Sequence, residues 1–407
     1  MSVDFRSRSD SEQTPVSAGA FFRETLPARL DAHRDCLAPG ARERSLVDLC
    51  IETEGEPFTL AWHGDRVEVS EGRTGRARVR LCAEQLCDLV NDQATPIAWM
   101  SNKRLDMPEG GLPQLLDWWL VLRAALDGRR IHTRGDVAFA GPVRRPFDPD
   151  DDAAEMRAFL EDTGYLHIRG LFDAEEMAAV AADFAAAEPH YAKGDPKAWF
   201  ASTHDGEEHL VRMEGFERYS PTSAALLDGE RFQRLGRIPG VGHEPRSEAA
   251  NRVSALSKPI GVVKGISDVP WHKDCSLGRH SYECCGLTVG ISVDGAGPDS
   301  GQLRVVPGSH RALVWPSPCL QPGLDLEPLD LPTETGDVTV HLSCTLHMAQ
   351  PPRVRPRKVL YTGFRLEPRD AEAAALGRER LASVRAKTHT RVSQRPGYLG
   401  GDARKPS

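Results

Sequence analysis

Gly286-Leu287-Thr288-Val289-Gly290-Ile291-Ser292-Val293-Asp294-Gly295-Ala296-Gly297-Pro298-Asp299-Ser300-Gly301-Gln302-Leu303-Arg304-Val305-Val306-Pro307-Gly308-Ser309-His310 reads as two short apolar runs broken and closed by Gly- and Pro-rich turns. The same pattern returns in Gly336–Ser343 (GDVTVHLS) and Lys358–Leu366 (KVLYTGFRL). Short strands at even spacing favour a double-sheet jelly roll over a parallel sheet. Upstream, Glu155–Pro189 gives a helix, a strand through Tyr165–Ile168, and a second helix whose Asp173 and Glu176 are spaced as a capping box.

Further upstream, three prolines and an acidic run between Gly141 and Asp152 interrupt any period and mark a domain boundary. Before it, Phe58, Leu60 and Trp62 alternate, a turn follows, and Val67 and Val69 continue, which is a hairpin. Ala77, Val79 and Leu81 alternate with Arg76, Arg78 and Arg80, an apolar face backed by a solvated cationic one. Leu112, Leu115, Leu116, Trp119, Leu120 and Leu126 recur at helical spacing after Pro113, so a helix covers this sheet, with Trp118 expected at its partly buried rim. The fold class is therefore β-rich α+β: a disordered leader (1–20), a small α+β domain (21–140), a jelly roll (147–390) and a tail (391–407).

With 407 residues, 40% hydrophobic and 27% charged, the chain can form two packed cores. A net charge of −8 leaves no basic field for a nucleic-acid backbone or an anionic membrane. Neither an apolar run of spanning length nor a signal core is seen, so a cytoplasmic location is expected. Nine cysteines without a CxxC pair point to reduced thiols, mostly buried, with Cys284 and Cys285 as small apolar side chains of a strand.

A ferrous ion that activates oxygen takes two imidazoles and one carboxylate on one face. The sequence trace is His-x-Asp plus a distant His, and a chain with 14 His contains about one such pair by accident. Three occur. His33 and Asp35 sit in a helical stretch, where residues two apart diverge. His63 and Asp65 belong to the hairpin turn, where Gly and Asp are ordinary residues. His272 and Asp274 lie in the extended run Val269-Pro270-Trp271-His272-Lys273-Asp274, and period-two alternation sends both to one face. For the third ligand, His341 and His347 share parity. A dicarboxylic 2-oxo acid needs a cation on its far carboxylate; Arg357 opens a strand beside the one carrying His347, which favours His347.

These pieces, GYLHIRGLF, WHKD, the Gly286–His310 block, GDVTVHLSCTLH and RKVLYTGF, resemble in order the phytanoyl-CoA dioxygenase family of Fe(II)/2-oxoglutarate oxygenases. The resemblance covers the C-terminal ~250 residues and implies His272, Asp274 and His347 as iron ligands, Arg357 as the 2-oxoglutarate clamp, Thr288 as a hydroxyl assisting the clamped carboxylate, and O2 as co-substrate. It makes His341 a core histidine and His310 part of a structural turn. Where family members often carry Ser, Asn or Gly after the distal His, this chain has Met348-Ala349-Gln350-Pro351-Pro352, which leaves Arg353 and Arg355 as alternative clamps. Asp274 is a carboxylate, not the Gly or Ala that makes room for a halide, so hydroxylation is favoured over halogenation. The N-terminal part loosely resembles sterol-carrier-protein-2-like domains, implying an apolar ligand or a homodimer contact.

The function expected is a 2-oxoglutarate-dependent dioxygenase hydroxylating a small molecule, in bacterial secondary metabolism on the compositional ground of 42 Arg against 9 Lys. Desaturation, epoxidation and cyclisation use the same iron core. The alternatives are a ligand carrier with a degenerate barrel and a metal-dependent hydrolase or isomerase that consumes no O2. Trp199, Phe200, His204, Met213, Tyr219 and Trp315 are candidates for the substrate pocket.

Overall fold

The computed structural model describes residues 13–246, 251–265, 269–277 and 286–366, with single positions at 371 and 375. The expectations for the first twelve residues, Cys284, Cys285 and the tail lie outside these residues.

The N-terminal sheet contains β1 (Leu49–Thr53), β2 (Glu56–Trp62), β3 (Val67–Glu71), β4 (Ala77–Leu81) and β5 (Asp106–Glu109), in the order β3-β2-β1-β4-β5. The hairpin pairs Leu60 with Val69 and Phe58 with Glu71. Ala77, Val79 and Leu81 are buried, whereas Arg78 and Arg80 meet Glu52, Glu109 and Asp106 on the wet face. The helix Leu112–Asp127 starts with Pro113 in its first turn and stops at Gly128, which adopts φ 66°.

That helix corrects the expectation for Trp118. It is fully buried, and its Nε1–H donates to Val47 O at 2.7 Å. Residues 115–125 of the helix are buried on nearly every face, apart from Asp117, because helices Leu26–Ala32 and Arg34–Arg42 pack against it as well as the sheet. Reading the helix as one-sided missed this second layer. The thiol expectation is corrected too. Of the seven described cysteines only Cys50 and Cys344 are buried, Cys82 being exposed and the others half-buried.

The C-terminal part holds two sheets. Its strands are β6 (Pro146–Phe147), β7 (Tyr165–Ile168), β8 (Ala198–Thr203), β9 (Glu208–Glu214), β10 (His243–Pro245), β11 (Ser254–Lys258), β12 (Val262–Lys264), β13 (Val269–His272), β14 (Leu287–Ser292), β15 (Leu303–Val305), β16 (Leu329–Leu331), β17 (Val338–Leu342), β18 (His347–Ala349) and β19 (Arg357–Leu366). The large sheet runs β12-β8-β9-β11-β19-β14-β17-β7-β6, with β10 also paired to β19, and the small sheet runs β13-β18-β15-β16. This is the jelly roll. From β16 to β19 successive strands alternate between the two sheets, so β18 and β19, expected side by side, lie in different sheets.

Helices Ala153–Thr163 and Ala174–Ala187 cover the large sheet through Met156, Leu160, Met177, Val180 and Phe184. The second begins with a complete capping box: Asp173 Oδ1 accepts from Glu176 N at 2.8 Å, and Glu176 Oε2 accepts from Asp173 N at 2.9 Å. Asp173→Ala removes one half of it, and chemical denaturation is expected to register a loss of about 1 kcal/mol with an unchanged m-value.

Candidate metal centre and co-substrate site

Strand pairing brings the site together. β13 and β18 are antiparallel with His272 opposite His347, so two imidazoles from residues 75 positions apart stand side by side, their ring centroids 4.1 Å apart. After His272 the chain stays extended at Lys273 and then turns, Asp274 opening the short 3-10 turn Asp274–Ser276. From the large sheet, β14 and β17 present Thr288 and His341 opposite one another. Ligand atoms of His272, Asp274 and His347 all lie within 4.8 Å of one another, the one such His/Asp group among the described residues.

The hydrogen bonds leave the right atoms exposed to the centre. His272 Nδ1–H donates to Pro270 O at 2.7 Å and His347 Nδ1–H donates to Thr345 O at 2.9 Å. Since a carbonyl only accepts, each ring keeps its Nε2 lone pair for the centre, the arrangement that fixes metal-binding imidazoles. Those Nε2 atoms lie 3.2 and 3.6 Å from Asp274 Oδ1. On the other carboxylate oxygen, Thr288 Oγ1–H donates to Oδ2 at 2.7 Å, and His341 Nε2 stands 3.5 Å away.

Electrostatics sets the same protonation states. Burial would raise Asp274, but the imidazoles of His347, His272 and His341 outweigh it and hold the carboxyl well below the usual range. Burial, then the neighbouring rings of His341 and His272, hold His347 well below the usual imidazole range. An ionised carboxylate beside a neutral imidazole is a donor set ready for a divalent cation.

Arg357 is buried at 3% exposure at the start of β19. It donates to Gly301 O and, through Nη2, to the Tyr361 hydroxyl at 3.3 Å. Gly301 is required there: it adopts φ 77°, and a Cβ would collide with Gln350 O. Arg357 Nε has no hydrogen bond, and no described carboxylate lies within ion-pair distance of this guanidinium. A buried cation with its Nε orphaned calls for an anion. The pocket it faces is also lined by Tyr361, Thr339, Ser292 and Gly290. The alternative clamps are elsewhere, with Arg353 exposed and Arg355 exposed and paired to Asp299 at 3.1 Å.

Several placements differ from the sequence reading or add to it. The Thr288 hydroxyl meets Asp274; the hydroxyl beside Arg357 belongs to Tyr361. His341, read as a core residue, is indeed fully buried, but its ring lies 4.0 Å from that of His347. Lys258 was not singled out, yet it is buried and directly opposite Arg357 in the β11–β19 register. His33 bonds Ala125 O and His63 pairs with Glu68 at 3.2 Å, each far along the chain from the cluster. His310 Nε2–H donates to Glu161 O at 2.9 Å. Of the pocket aromatics, Trp199 lies under Arg212, Tyr219 stacks on His190, and Trp315 donates to Asp117.

The profile of the phytanoyl-CoA dioxygenase (PhyH) family matches residues 160–356. The chain carries a PhyH family domain. This PhyH domain contains His272, Asp274, His347 and Thr288 and ends one residue before Arg357. A curated relative is the probable alpha-ketoglutarate-dependent hypophosphite dioxygenase of Stutzerimonas stutzeri, 28% identical over 219 residues, covering 49% of this chain and 73% of that protein. Solved structures that match include SnoN, the non-haem alpha-ketoglutarate-dependent epimerase from nogalamycin biosynthesis (TM-score 0.42, 19% identity, 53% of this chain and 80% of that one). EctD from S. alaskensis, with 2-oxoglutarate and 5-hydroxyectoine, matches with TM-score 0.42 and 19% identity over 58% of this chain and 86% of that one. The PhyH domain and its donor set make the protein a 2-oxoglutarate-dependent non-haem iron dioxygenase. No described helix is long and apolar enough to cross a membrane.

Proposed function

We propose that the protein hydroxylates a small-molecule substrate, with His272, Asp274 and His347 as the ligands of Fe(II) and Arg357 as the residue that takes the far carboxylate of 2-oxoglutarate. The observation that carries this reading is the pairing of a preformed two-imidazole, one-carboxylate group with a buried guanidinium whose Nε is unbonded and which makes no ion pair among the described residues. When bound, iron and the oxo acid supply the oxidising power: O2 is consumed, 2-oxoglutarate leaves as succinate and CO2, and the second oxygen atom goes to the substrate.

The chain's own work is orientation and exclusion of water. Pro270 and Thr345 carbonyls fix the two ring orientations, and the Thr288 hydroxyl holds Asp274 Oδ2, leaving Oδ1 to face the centre beside the two Nε2 lone pairs. Arg357, with Lys258 opposite it, gives the oxo acid one orientation. No side chain has to act as a general base. The substrate is drawn from bacterial secondary metabolism, a reading supported by the Arg-over-Lys composition, 42 to 9.

Anaerobic addition of Fe(II) and 2-oxoglutarate to the purified chain is expected to give a visible metal-to-ligand charge-transfer band, absent with either component alone. A colourless mixture would move the protein to the ligand-carrier reading. A coloured complex that turns over substrate without consuming O2 would move it to a hydrolase or isomerase.

A further inference from the structure

The turn that carries Asp274 is held from two sides. Within the PhyH domain, Cys275 N–H donates to Ser343 O at 3.2 Å, Lys273 N–H to Pro316 O at 3.2 Å, and the Ser276 hydroxyl to Lys273 O at 2.7 Å. From outside that domain, the Thr95 hydroxyl donates to Ser276 O at 3.0 Å, and both residues are buried. Thr95 is also the N-cap of the helix Pro96–Ser101, its Oγ1 accepting from Ala98 N at 3.2 Å. Leu277, the next residue after the turn, packs into the N-terminal core.

A second clamp reaches the same turn by way of residues 313–316. Leu313 and Trp315 are members of the N-terminal hydrophobic cluster, and Trp315 Nε1–H donates to Asp117 Oδ1 at 3.0 Å, with Arg44 Nε 3.4 Å from the same oxygen. The adjoining Pro316 supplies the carbonyl that accepts from Lys273. Both paths from the N-terminal module therefore end on residues 273–277.

We propose that the N-terminal module is a working part of the metal centre, with Thr95 as a positioning residue that fixes the turn bearing Asp274. The inference rests on the iron-site reading above. Its physical basis is that Ser276 O, buried and deprived of its donor, costs about 1–3 kcal/mol, which the turn relieves by rotating. Ligand distances in a metal site tolerate only about 0.2 Å, so a small rotation of Asp274 lowers affinity without unfolding anything.

The test uses the full chain and Co(II) as a spectroscopic probe, titrated anaerobically well below the melting temperature. Thr95→Val is expected to weaken Co(II) binding about 10-fold and to alter its visible d–d bands, while Thr95→Ser, which keeps both the donor and the cap, stays near wild type. Trp315→Phe, which loses the bond to Asp117 together with part of the indole's packing in the N-terminal core, is expected to weaken binding about threefold and covers the case of a Thr95→Val protein that does not fold. Wild-type affinity and spectrum in folded Thr95→Val, or in Trp315→Phe if that is the folded variant, overturn the inference while the iron site stands. A wild-type chain that takes up no Co(II) overturns the iron-site reading itself, and this inference with it.

Discussion

Asp274→Ala is expected to abolish succinate formation from 2-oxoglutarate while leaving the far-UV circular dichroism unchanged. Asp274 is the one carboxylate of the group, and its Oδ1 stands 3.2 and 3.6 Å from the two Nε2 atoms that would share the ion. Removing it leaves two neutral imidazoles, whose hold on a ferrous ion is far weaker than that of the mixed set. Even neighbours that only orient a ligand are worth about 10- to 100-fold in metal affinity, so loss of the ligand itself should exceed that range. Asp274→Asn separates charge from shape: it keeps a group within reach of Thr288 and His341 but not the ionised oxygen, and it too should fail to retain iron. Iron content after desalting and succinate by mass spectrometry are the two readouts. Succinate produced at the wild-type rate by either variant would remove Asp274 from the ligand set.

Legibility in the sequence follows the range of each interaction. Alternation is local, so Val269–Asp274 reveals that His272 and Asp274 share a face, and the spaced Asp173 and Glu176 reveal a helix start that the structure contains bond for bond. Strand pairing is not local. Nothing in the run from His341 to His347 says that the first lies in the large sheet and the second in the small one, although both rings end within 4.1 Å of a neighbouring ring of the cluster. The Tyr361 hydroxyl takes the place expected for that of Thr288 for the same reason: Thr288 is opposite Gly363 and Tyr361 opposite Gly290, so one hydroxyl falls at the Asp274 level and the other at the Arg357 level. Trp118 and Thr95 depend on layers contributed by distant parts of the chain, Thr95 meeting a residue 181 positions away. Helical periodicity cannot show that a helix is covered on both sides.

Arg357→Met is expected to raise the concentration of 2-oxoglutarate needed for half-maximal charge-transfer absorbance by about 100-fold, equivalent to about 2.7 kcal/mol, with little change in the iron affinity of the chain alone. The distinction arises because the hydrogen bonds of Arg357 go to Gly301 O and Tyr361 Oη, not to the His–Asp–His group. Two further signs separate a clamp from a structural arginine. A guanidinium kept at 3% exposure with its Nε unbonded and no ion pair among the described residues is a cost to the free protein, so methionine of similar volume should leave its melting temperature unchanged or raised. The wild type should also strongly prefer 2-oxoglutarate over a 2-oxo monoacid that lacks the far carboxylate, and the variant should lose most of that preference, since the discriminating contact is gone from both complexes. A structural arginine predicts the reverse pattern: a lower melting temperature, an equal loss of affinity for diacid and monoacid, and an intact ratio between them. If the ratio survives in a well-folded Arg357→Met protein, the anion site moves to Lys258, the buried cation directly opposite in the β11–β19 register.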